Sequence, residues 1–185
     1  MTNRWELPTS LDVGGVGVPI RTDYRAILDI LAHFNSPEYE EDEKQLICLK
    51  ILYKEEIPPA LQAEAIQQAI AFIDGGEKKE SGANPRLMDW EQDAPILAPA
   101  LNKALGMEIR SVPYLHWWTL LGAYMSIRES LFSEVVSIRQ KKAKHKKLEK
   151  YEQEFYRENK SLIDIQPRLS AEEQAEIDRL NEMLK

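Results

Sequence analysis

The chain of 185 residues has a single cysteine, eight glycines and three histidines. Each scarcity removes a class of protein. One thiol, Cys48, cannot form an internal disulfide. Flanked by Ile47 and Leu49, it reads as a small buried hydrophobe in a reducing compartment. His33, His116 and His145 stand on separate segments, none with a Cys, Asp or Glu at metal-ligand spacing, so no metal or other cofactor is expected. A Gly-rich phosphate loop, a Gly-x-Ser-x-Gly elbow and a His-Glu-x-x-His motif are all missing. Acidic runs such as Glu40-Glu41-Asp42-Glu43 read as a solvated helix start rather than an acid–base pair, and the chain is not expected to be an enzyme. No apolar run approaches the ~20 residues of a membrane span. Met1-Thr2-Asn3-Arg4-Trp5-Glu6 lacks the apolar stretch of a secretory leader, so a cytosolic protein is expected.

What the sequence does have favours helix. Leu, Ala, Ile, Glu, Lys and Gln are abundant, and the length suits one domain with a respectable core. The expectation is a mainly α fold, a single domain over 1–185 with a small N-terminal β-hairpin. It divides into a hairpin at 10–20, a helical body at 22–138, a basic helix at 139–160, and a C-terminal linker with an amphipathic helix at 161–185.

Leu11, Val13, Val16, Val18 and Ile20 flank Gly14-Gly15, a hairpin pattern. Tyr24, Ile27, Leu28, Leu31 and Phe34 then follow helical spacing behind Thr22 or Asp23 as N-cap, up to Asn35-Ser36-Pro37. The segment 40–54 is apolar nearly all round in its second half and predicts a central buried helix. Pro58-Pro59 opens a helix with Leu61, Ala65, Ile66, Ala69, Ile70 and Ile73 as its stripe, ended by Gly75-Gly76. Residues 75–85 read as an exposed, mobile loop. Asp89 to Gly106 predicts a helix whose Pro95 and Pro99 force a late start or a kink.

Ser111 and Pro113 are expected to start an aromatic helix with Tyr114, Trp117, Trp118, Leu121 and Tyr124 on one face. Trp117 and Trp118 are assigned to the fold, at least one of them buried. His116 is assigned a structural role through a ring hydrogen bond. Ser130 caps a helix with Leu131, Val135 and Ile138 as its stripe, and apolar spacing resumes at Leu148, Tyr151 and Phe155. Ser170 and Glu173 form a capping box ahead of Ile177, Leu180 and Leu184.

Charge is unevenly placed. Residues 139–160 hold nine Lys/Arg against four Glu, or +5, while the remainder carries −12 within a net charge of −7. A helix exposed through its lysines is expected to leave the body here. It serves as a solvated surface, as a protein-partner site, or as a nucleic-acid contact. The partner reading names Arg139, Lys142, Lys144, Lys146 and Lys147 as a basic rim, with Tyr151, Phe155 and Tyr156 as apolar anchors. Nucleic acid ranks last, because an acidic body repels phosphate and no helix-turn-helix or RNA-binding motif is present.

Four blocks then carry a family resemblance. The first is Leu7-Pro8-Thr9-Ser10 with Val18-Pro19-Ile20-Arg21-Thr22-Asp23-Tyr24-Arg25. The second is Asp89-Trp90-Glu91-Gln92-Asp93 with Gly106-Met107-Glu108-Ile109. The third is His116-Trp117-Trp118. The last joins Ile138-Arg139, Lys146-Lys147-Leu148 and Glu154-Phe155-Tyr156-Arg157-Glu158-Asn159-Lys160. In this order the set resembles the tail assembly chaperones of long-tailed bacteriophages, especially phages and prophages of Gram-positive bacteria. The resemblance implies a non-catalytic protein of the infected or lysogenic host cytoplasm, absent from the mature virion. It implies that the chain coats the tape measure protein and helps recruit tail tube protein, and it leaves room for self-association. The alternative from another class is a small nucleic-acid-binding or regulatory protein using 139–160.

Overall fold

The hairpin forms where alternating apolar residues meet a glycine pair. Strands β1 (Ser10–Val13) and β2 (Val16–Pro19) pair antiparallel, with Val13 opposite Val16. Gly14 and Gly15 both take positive φ, at 62° and 79°, as a tight two-residue turn requires. The turn lies against the body: the Gly14 N–H donates to Glu64, and Leu61 would sit 3.2 Å from a Cβ at Gly14. These coordinates come from a computed structural model that describes residues 5–76 and 85–183. Most of the loop expected at 75–85, and Leu184, lie outside the described residues.

Around the hairpin the described chain is helical: α1 (Tyr24–Phe34), α2 (Glu41–Leu52), α3 (Gln62–Ile73, entered through a 3-10 turn at Pro59–Leu61), α4 (Ala94–Leu105), α5 (Trp117–Ser126), α6 (Leu131–Ala143), α7 (Lys150–Glu158), α8 (Lys160–Ile163) and α9 (Ala171–Met183). The mainly α fold with its N-terminal hairpin is therefore present. Among the described residues no helix is long and apolar enough to cross a membrane.

Local signals set several boundaries. Asp23 caps α1 by accepting the Arg25 N–H, and Ser130 caps α6 through a reciprocal exchange with Ser133. Ser170 and Glu173 form the anticipated box at the start of α9. α4 starts late: Pro95 falls in its first turn, where a missing N–H costs nothing, and the helix runs on past Pro99 to a left-handed Gly106.

Other expectations need correction. α5 begins at Trp117 rather than near Ser111, because residues 114–116 are drawn into a bridge with the start of α1. The Tyr24 N–H donates to Leu115 O, the Trp117 N–H to Thr22 O, and the Leu115 N–H to Asp23. Tyr114 is consequently exposed and outside the helix. α2 is not buried all round. Cys48, Leu49 and Leu52 face the core while Leu46 faces out. In α3 the buried face is Ala65, Ile66, Ala69, Phe72 and Ile73, and Ile70 points outward.

The aromatic segment closes the core. Trp117 is 1% exposed, as expected of at least one of the pair. Its indole N–H donates to Ile73 O, and that of the half-buried Trp118 donates to Phe72 O, both at 2.8 Å. These are carbonyls from the last turn of α3, where i→i+4 partners run out; Phe72 O also accepts the Gly75 N–H, and two adjacent indoles finish that helix. His116 caps α5: its Nδ1 accepts the Trp118 N–H, which leaves Nε2–H to donate to Pro8 O at 3.0 Å. Trp90 packs on Trp117 and Tyr124, and Tyr124 on Phe132, linking the middle of the chain to α6.

Candidate protein-binding surface

Helix α6 has a core-facing stripe at Phe132, Val135 and Ile138, with Leu131 turned outward. The stripe does not vanish at the basic stretch. It continues one turn further through Arg139 and Lys142, whose charges are met by acids of this chain, the first in the interior and the second at its half-exposed edge.

Arg139 is 7% exposed and Asp93 1%. The guanidinium grips the carboxylate with two bonds, Nη1 to Oδ2 at 2.6 Å and Nη2 to Oδ1 at 2.8 Å. Its remaining donors reach Ile163 O, Leu162 O and Leu87 O. All five guanidinium N–H groups thus have acceptors, the condition under which a buried arginine is tolerated. Asp89, equally buried, stands beside this pair. Its N–H donates to Asp93, and its carboxylate accepts the Glu91 and Gln92 N–H groups together with Arg86 and Arg168. One ionic hub therefore ties together the segment before α4, the last turns of α6, α8 and the stretch leading to α9. Arg139 was expected on a partner-facing rim. It has no donor left for a partner and instead holds the fold.

The next two lysines also turn inward. Lys141 donates to Glu152 at 2.6 Å, a carboxylate only 3% exposed. That hydrogen bond holds the Glu152 carboxyl below its ordinary range and raises Lys141. Lys142 donates to Asp164 and lies 3.8 Å over the Tyr156 ring, whose hydroxyl also donates to Asp164. Burial works against both charges, but the hydrogen bond and attraction between them prevail, leaving Lys142 raised and Asp164 lowered.

The chain then reverses. α6 ends at Ala143, and His145 takes a left-handed φ of 52°. The Lys146 N–H reaches back to Lys141 O and the His145 N–H to Lys142 O, a Schellman closure with histidine where glycine is usual. α7 is then tied to α6 through Lys141 and Glu152. The single projecting helix expected over 139–160 is thus two helices joined by a tip, because the ion pairs support a return. Lys144, Lys146, Lys147 and Lys150 are exposed at that tip, and Tyr151 beside them is 61% exposed. Phe155 and Tyr156 pack against the core instead. Of the eight residues named for a partner, Lys144, Lys146, Lys147 and Tyr151 form one exposed surface, while Arg139, Lys142, Phe155 and Tyr156 build its base.

The residues matched by a family model run from 4 to 165, and the family is described as Bacteriophage Gp15 protein. The chain belongs to this phage family. No curated protein and no solved structure matches it. The matched span contains the hub residues Asp89, Asp93 and Arg139 and the whole basic tip, and it stops before Arg168 and α9. The inward acids Asp93, Glu152 and Asp164 were not anticipated as partners of the basic stretch. The signal that could have found them is Arg139 itself, four residues after the core position Val135 and next to Ile138.

A second surface lies between α4 and the start of α6. Pro95, Ile96, Pro99, Ala100 and Leu131 line an open groove of about 240 Å³ rimmed by Lys103 and Ser130. Its lining is apolar, and it has room for one or two side chains of an approaching helix.

Proposed function

We propose that this phage protein is a non-catalytic tail assembly chaperone, which binds the tape measure protein and promotes assembly of the tail tube around it. The observation that carries the reading is the surface at Lys144–Tyr151, where a charged rim and an exposed ring are mounted on a base fixed by ion pairs. A long helical client presents apolar faces with charged flanks. Such a surface, with the apolar groove at Pro95, Pro99 and Leu131, fits helix-in-surface recognition with electrostatic steering. Membership of a bacteriophage family supports the setting, and the motif set of the sequence supports the specific role. The site of action in this reading is the host cytoplasm, before the virion is complete.

Nucleic-acid binding is the weaker reading. Only a few lysines remain free once Arg139, Lys141 and Lys142 are paired inward, and the body around them is acidic. Co-expression with the tape measure protein of the same phage tests the choice. The expected result is a larger soluble fraction of that client and its co-purification with the chain. An insoluble client, with salt-dependent DNA binding by the purified chain, would overturn the proposal in favour of the alternative.

A further inference from the structure

Helix α9 lies beyond the residues that the family model matches, and none of its residues is buried. Ile177, Leu180 and Met183 are 38%, 53% and 83% exposed. At roughly 100° per residue they share one side of the helix, with Glu173 and Glu176 among them and Glu172 at the edge. Five acids against Arg179 give α9 a net charge of −4. The tip over 144–150 carries four lysines against Glu149, or +3, and Tyr151 supplies an exposed ring beside them.

We infer that, while no client is bound, α9 docks on the basic tip of a second copy of this chain and so covers the surface that the proposed function gives to the client. Charge selects that pairing: α9 against α9 sets two acidic helices together, tip against tip sets two basic loops together, and α9 on the tip joins opposites. Burying the Ile177–Leu180 side against Tyr151 and the lysine stems covers apolar surface that a free helix leaves in water. The same chain's tip is not the occupant. The stem before α9 is pinned elsewhere, by Gln92 and Gln166 exchanging two hydrogen bonds of 2.9 Å and by Arg168 on Asp89 and Glu91. The first turn of α9 is held by Glu38 through the Ala171 N–H. Among the described residues no hydrogen bond or ion pair joins α9 to the tip. Each copy offers one α9 and one tip, so a reciprocal exchange closes a two-fold dimer.

The test is sedimentation of the full chain at low and high salt, with two charge-reversed variants. One carries Glu172→Lys and Glu176→Lys, the other Lys144→Glu, Lys146→Glu and Lys147→Glu. Wild type should sediment at twice the monomer mass in low salt, with a dissociation constant weakened on the order of ten-fold in high salt. Each variant alone should be monomeric with an unchanged helical content by circular dichroism, and an equimolar mixture should restore a mixed dimer. A wild type that stays monomeric at every salt concentration overturns the inference. A dimer indifferent to both reversals, or variants that fail to pair on mixing, overturns it as well.

Discussion

Replacing Arg139 with methionine should destabilise the protein more than any surface change in the basic segment. The substitution leaves Asp93 charged in the interior, 1% exposed, and strips the donor from Leu87 O, Leu162 O and Ile163 O. Breaking a buried, hydrogen-bonded pair by removing one partner costs ~3–5 kcal/mol. That is a large share of the ~5–15 kcal/mol that holds a typical domain together. For a chain of this size each kcal/mol shifts the melting temperature by ~2–4 °C, so a drop of ~6–20 °C is expected. Arg139→Lys should recover only part of it, because an ammonium cannot form the two-bond fork or reach three carbonyls as well. Adding Asp93→Leu to Arg139→Met should restore some stability, since the uncompensated charge goes with it. The pair should differ from additivity by ~0.5–3 kcal/mol. Urea unfolding followed by circular dichroism reads all five proteins, Asp93→Leu alone completing the cycle. If Arg139→Met unfolds within ~1 kcal/mol of wild type and loses partner binding instead, the hub is not structural and the reasoning fails.

Three further outcomes follow from the same geometry. Trp117→Ala should cost ~3–5 kcal/mol, because it empties a core site and leaves Ile73 O unpaired, whereas Trp118→Ala should cost less; equal losses from the two would contradict the burial difference. Hydrogen bonds from Arg110 hold the Glu108 carboxyl down to about 2, and Lys141 holds Glu152 below its usual range. Carboxyls with lowered folded pKa values stabilise the protein above their unfolded pKa and stop doing so as pH falls through the folded value, so the melting temperature should decline between about pH 5 and 2. Glu152→Gln should be less stable at neutral pH yet lose less on acidification, and an acid limb as steep as that of wild type would refute the role given to Glu152. Burial pushes the Cys48 thiol up to about 12, so native protein should resist thiol reagents at mildly alkaline pH and label only as it unfolds; rapid stoichiometric labelling of folded protein would count against its placement.

Much of the fold was legible because its signals are local. Gly14-Gly15 between alternating apolar residues, Asp23 ahead of a helical period, and Ser130 and Ser170 as caps each act over a few residues. The start of α5 was not legible. What holds residues 114–116 out of the helix is Asp23, some ninety residues away in sequence. Ile70 and Phe72 exchanged places because both fit an apolar pattern, and only the approach of Trp118 to Phe72, at 5.8 Å, fixes which one turns inward. The surface was misjudged for a different reason. A run of lysines reads as wet unless its counter-charges are known, and Asp93, Glu152 and Asp164 come from three other segments. Their arrival divides the run into a paired base and a free tip.

That division matters for the chaperone reading, since only the free tip can be altered without touching the fold. Lys144→Gln, Lys146→Gln and Lys147→Gln together leave the ion pairs of Lys141 and Lys142 intact, and exposed charges contribute little to stability. The deciding measurement is light scattering as the tape measure protein is diluted from denaturant into buffer containing wild-type or triple-variant chain, at low and high salt. The account predicts that wild type suppresses aggregation of this client, and that the variant, with an unchanged melting temperature, suppresses it less, the gap being widest at low salt. Aggregation unaffected by wild type would contradict the chaperone assignment, and equal protection by both proteins at every salt concentration would reduce the basic tip to a solvated surface.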